Sequence, residues 1–85
     1  MKIETEIFRV YHCRIYITTD ARREQLVFTK AVNLAIKQGI DLETFSGCPA
    51  AGPYIEATSK SIAKMSAWRK AMANYLRKFT NVTYR

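Results

Sequence analysis

From Tyr11 to Thr18 the chain alternates. Tyr11, Cys13, Ile15 and Ile17 fall on one side, and His12, Arg14, Tyr16 and Thr18 on the other. A period of two marks a strand with one buried face. The whole stretch 2–18 lacks Gly, Pro, Asn and Asp and is rich in Ile, Val, Thr, Tyr and Phe. It therefore reads as one long strand, broken or bulged at Ile7-Phe8, where the alternation slips. The exposed end of such a strand can pair with another chain, so a homodimer is one expectation.

Thr19 or Asp20 can cap a helix that runs to Gln38. Gly39 suits a left-handed stop, and Lys37 complements the negative end of the dipole. Phe28, Ala31, Val32 and Ala35 define its buried side, widened by Val27, Leu34 and Ile36. Arg23, Lys30 and Lys37 recur every seven residues and form a basic edge, with Arg22 and Asn33 beside it. We read that edge as a solvated face.

Ile40 to Phe45 is a short strand candidate, Ser46 to Pro53 a turn-rich connection, and Tyr54 to Ala57 a second short strand. Thr58 or Ser59 caps a long helix reaching about Lys78, and Thr80 to Tyr84 forms a terminal strand. With 85 residues, a single α+β domain over 1–85 is expected. The order β-α-β-β-α-β resembles the ferredoxin-like split βαβ sandwich, with two helices on one face of a four-stranded antiparallel sheet. The alternative is a looser α+β arrangement with a long N-terminal strand, two helices and no middle hairpin.

Charge is distributed unevenly. Residues 1–57 hold seven basic and seven acidic side chains. Residues 58–85 hold Lys60, Lys64, Arg69, Lys70, Arg77, Lys78 and Arg85, and no acid at all. The net charge of +7 thus belongs to the last third, as an anionic partner would exploit.

In the second helix Ile62, Met65, Trp68, Met72, Tyr75, Leu76 and Phe79 share an arc of about 140° and form the core face. Lys60, Lys64, Lys70, Arg77 and Lys78 lie opposite, interleaved with Ala63, Ala67, Ala71 and Asn74. Alanines keep the surface low, so a phosphate backbone can approach while the cations reach to either side. The same alanines also fit a close helix–helix contact. Ser59 and Ser61 flank Lys60 at the positive end of the helix, where hydroxyls and free N–H groups suit a phosphate as well as an ordinary cap.

If the helices cover one sheet face, His12, Arg14 and Tyr16 project from the other, with Tyr54 beside them. Arg14 and Tyr16 are secondary candidates for holding a phosphate and stacking a base. This surface looks like that of an RNA-recognition motif. Pro53-Tyr-Ile-Glu-Ala57, however, lacks that family's glycine and paired aromatics, so the family is not assigned.

A nucleic-acid-binding protein is therefore expected, with RNA preferred because the open sheet could carry aromatics for stacking bases and because no helix-turn-helix or zinc-finger pattern is present. The second expectation is a protein-binding inhibitor or adaptor whose basic helix meets an acidic protein surface. In size and character the chain is similar to small accessory proteins of tailed phages. That resemblance implies a counter-defence factor neutralising a host nuclease or toxin, in some cases with RNA in the complex.

Catalysis is not expected. Cys48 and His12 would have to meet in space to form a dyad, SGCPAAG lacks the Lys-Ser/Thr ending of a P-loop, and no cluster has metal-ligand spacing. No cofactor is expected. Met1-Lys2 is followed by Glu4 and Glu6 without an apolar run, and no apolar stretch is long enough to span a bilayer, so a cytoplasmic chain with reduced thiols and no membrane partner is the expectation.

Overall fold

The computed structural model describes residues 3–5, 10–45 and 53–84. They form β1 (Ile3–Thr5), β2 (Tyr11–Thr18), α1 (Ala21–Gln38), β3 (Asp41–Phe45), β4 (Tyr54–Ser59), α2 (Ile62–Leu76) and β5 (Thr83–Tyr84). The fold is α+β: one open antiparallel sheet of five strands and two helices. The strands run β1-β2-β4-β3, and β5 pairs with the far end of β2.

The stretch 2–18, expected to be bulged or broken, holds two strands. β1 folds back on β2, with Ile3 opposite Cys13 and Thr5 opposite Tyr11. The break expected at Ile7-Phe8 lies outside the described residues. Part of the β2 edge that was expected to meet a second chain is thus paired within this one.

The alternation in β2 does what a period of two requires. Cys13, Ile15 and Ile17 are buried, and register sets Ile15 beside Ile55 and Cys13 beside Ala57 of β4. Both helices cover this face and pack on each other. Val27, Phe28, Ala31 and Ala35 come from α1, and Met65, Trp68, Met72 and Leu76 from α2. Trp68 is completely buried, and its indole N–H donates to the Ala31 carbonyl at 3.2 Å. A buried indole needs such a partner.

The helix ends follow local rules. Asp20 caps α1 by accepting from the Arg23 backbone N–H at 2.8 Å. At the other end Gly39 turns left-handed at φ 72, its N–H donates to Ile36, and the Ile40 N–H reaches back to Ala35. This Schellman closure satisfies carbonyls that the helix leaves open. For α2 the cap is Ser61, two to three residues beyond the expected Thr58 or Ser59, both of which belong to β4.

Three apolar residues expected inside are not. Val32, Ile36 and Ile62 are 38%, 73% and 45% exposed. Small Ala31 and Ala35 let α1 sit close to its neighbours, so its buried stripe narrows and Val32 and Ile36 stay on the outer flank. Among the described residues no helix is long and apolar enough to cross a membrane.

Trp68→Phe should cost about 2 kcal/mol in denaturant unfolding, from the lost ring volume and the lost cross-helix hydrogen bond. Asp20→Ala should lower the melting temperature near neutral pH. The Asp20 carboxyl is held below its ordinary value, first by the Arg23 backbone N–H and then by the Arg23 charge. A depressed carboxyl stabilises the fold above its unfolded value and ceases to as pH falls through its folded one. The gap between wild type and Asp20→Ala should therefore shrink in acid.

Candidate nucleic-acid interface

The two faces of the molecule carry opposite charge. Register sets Arg14 opposite Glu56 and Glu56 opposite Glu43 on the uncovered sheet face, with Asp41 opposite Thr58 and Glu4 opposite His12. Among the described residues four carboxylates thus share this face with Arg14. The Arg14 guanidinium is engaged by Glu56, Nε to Oε2 at 2.8 Å. A groove of about 440 Å3 on this side is lined by Asp41, Leu42, Glu43, Glu56 and Thr58. Tyr16 and Tyr54 do meet, ring centroids 5.4 Å apart and tilted by 36°. The aromatic pair expected to stack bases is present, but it is set among acids.

The cations of α2 and of the residues just before and after it stand on the opposite side of the molecule, the helix ending at Leu76 and not at the expected Lys78. Lys60, Lys64, Lys70, Arg77 and Lys78 are all exposed, and none is paired with a carboxylate among the described residues. At about 100° per residue, Lys70 and Arg77 point away from the core, and Lys64 and Lys78 lie on the flank towards α1. Ala67 and Ala71 sit between them, half-buried. Arg69 is exposed on the other flank.

The serines at the start of α2 are occupied. Ser61 Oγ accepts from the Lys64 N–H at 3.3 Å, and Ser59 Oγ from the Ser61 N–H at 3.0 Å. Both act as caps, the ordinary role for these residue types. Lys60 is exposed in the bend between them.

The basic edge of α1, read from the sequence as a solvated face, faces α2. Lys30 Nζ lies 5.7 Å from the centroid of the Tyr75 ring, within reach of a cation–π contact. Lys37, one heptad on, shares this edge. The Lys64 ammonium sits at the end of α1, where a Cβ added to Gly39 would meet it at 3.6 Å. There it complements the negative end of the α1 dipole. Lys30 and Lys37 thus join Lys64, Lys70, Arg77 and Lys78 on the helix layer. The heptad repeat of Arg23, Lys30 and Lys37 was the signal for this edge; what the sequence lacked was the neighbour it faces. Arg23 is an exception, since its guanidinium binds Asp20.

The thiol expectations divide. Cys48, the thiol of the dyad considered with His12, lies outside the described residues. Cys13 is buried in the core, and burial pushes its thiol up from the ordinary value. No group of three or more metal-binding side chains occurs among the described residues. Comparison with known proteins found no match: no family model fits the sequence, no curated protein is detectably similar to it, and no solved structure resembles it closely enough to inform its role.

Cys13 should resist a thiol reagent in native buffer and react only at the rate of unfolding, because the thiolate is the nucleophile and the core disfavours it. Mass spectrometry after timed alkylation tests this. Labelling of Cys13 within seconds in native buffer would contradict it.

Proposed function

We propose that the chain is a nucleic-acid-binding protein that holds phosphates on its helix layer, with RNA as the preferred ligand. The observation that carries this reading is a set of exposed cations, unpaired among the described residues, on adjoining flanks of α1 and α2, over low alanines. Lys64, Lys70, Arg77 and Lys78 are the principal contacts, Lys30 and Lys37 extend them, and Lys60 lies at the end of the row. Coulomb attraction and counterion release drive the binding, so its strength falls steeply with salt. Arg14 and Tyr16 stand outside this reading, because Arg14 is spent on Glu56 and both lie on the acid-bearing face.

The six elements from β2 to β5 are assigned to a ferredoxin-like split βαβ, with β1 as an added hairpin strand. The support is the set of pairings β5 with β2, β2 with β4 and β4 with β3, all antiparallel.

Lys64→Glu with Lys70→Glu should abolish binding to a short RNA hairpin and leave the circular-dichroism melt intact. Lys30→Ala with Lys37→Ala should retain binding but flatten the plot of log affinity against log salt by about 1.5, near the 0.7–0.9 expected per lost contact. Arg14→Ala should leave affinity unchanged. Unchanged affinity of the double reversal at low salt would defeat the proposal. If the basic face meets an acidic protein instead, a purified sample would carry no absorbance at 260 nm beyond its own, and the hairpin would not bind.

A further inference from the structure

The outer flank of α1 lies away from α2, beside Thr44 of the edge strand β3, and its composition differs from the rest of the surface. Gln25, Thr29, Val32 and Ile36 recur at spacings of four, three and four residues, the pattern of a helix–helix seam. None of them is charged, in a chain of net charge +7. Ile36 is 73% exposed, the most exposed of the large apolar residues described. Beside it runs a groove of about 320 Å3, lined by Gln25, Phe28, Thr29, Val32, Asn33 and Thr44. Among the described residues no ionisable side chain lines the groove either.

We infer that this flank is a two-fold interface with a second copy of the chain, α1 packing antiparallel on its counterpart. Two features select that occupant. The flank holds a protruding side chain and a recess at different heights on one helix. A two-fold axis near Val32, perpendicular to α1, relates position 36 to position 28, and so sets each Ile36 over the groove that the other copy builds around Phe28. A patch that is its own complement is what an isologous contact requires. Charge selects the same partner: two copies of a strongly basic molecule repel one another across the helix layer, and this neutral strip is a place where they can approach without opposing cations. A phosphate ligand has no purchase here, so the interface and the basic surface do not compete. Edge pairing through β2 is not needed.

Sedimentation velocity of the wild-type chain over a range of concentration should show a reversible monomer–dimer equilibrium. Ile36→Glu should weaken it by roughly tenfold or more, as removal of a central apolar anchor does, and should leave the circular-dichroism spectrum unchanged. Val32→Cys, in a background with Cys48→Ser, should cross-link to itself under mild oxidation, whereas Asn74→Cys on α2 should not. A chain that stays monomeric at millimolar concentration would overturn the inference. So would a dimer that persists in Ile36→Glu, or cross-linking of Asn74→Cys in preference to Val32→Cys. None of these results depends on whether the helix layer binds RNA.

Discussion

Trp68 is fully buried where α2 meets α1, and its indole N–H is anchored on the Ala31 carbonyl. A side chain of that size in the centre of a small domain fixes the rotation of both helices. Met65, Met72 and Leu76 follow it inward at helical spacing, and Ile15 and Ile55 of the sheet complete the same buried cluster. Once that stripe is inside, the polar side of α2 has only one direction to face. The cations are outside because the apolar residues are inside, and the loss of water from the latter is the dominant stabilising term.

The same packing separates the charges by layer. Both helices cover one face of the sheet, leaving Glu4, Asp41, Glu43 and Glu56 on the other with Arg14 among them. The helix layer carries the lysines and arginines of α2 together with Lys30 and Lys37 of α1. A molecule with two such faces presents itself to a polyanion in one orientation. The outer flank of α1 is neutral and partly apolar, and belongs to neither face. The basic edge of α1 and its neutral flank are therefore different sides of the same helix.

Much of this was legible in the residues. The alternation through Tyr11–Thr18 predicts a half-buried strand, and the spacing of Met65, Trp68, Met72 and Leu76 predicts the buried face of α2; both are observed. Asp20 and Gly39 mark the ends of α1 because their chemistry suits a cap and a left-handed stop. What the residues did not reveal was tertiary. The segment before Tyr11 has no turn residue, yet β1 folds back on β2. Thr58 and Ser59 look like caps, but cross-strand pairing with His12 and Tyr11 draws them into β4 and passes the cap to Ser61. Val32 and Ile36 look like core until the depth of α1 in the packing is known. Arg14 and Tyr16 looked like a ligand platform because strand alternation says which face a side chain takes, but not that Glu56 and Glu43 stand beside it. The heptad edge of α1 reads as solvated, and Lys30 and Lys37 are indeed exposed; that Tyr75 of α2 adjoins it is a tertiary fact.

The central claim is that anionic ligands are taken by the helix layer and not by the open sheet face. Amide chemical shifts followed while a short RNA hairpin is added to the labelled protein test it most directly. The account predicts perturbations along Lys30–Lys37 of α1 and from Lys64 of α2 to Lys78 just beyond it, with β2 and β4 near Tyr16, Tyr54 and Glu56 silent. Perturbations centred on Tyr16 and Tyr54, with the two helices unmoved, would contradict it.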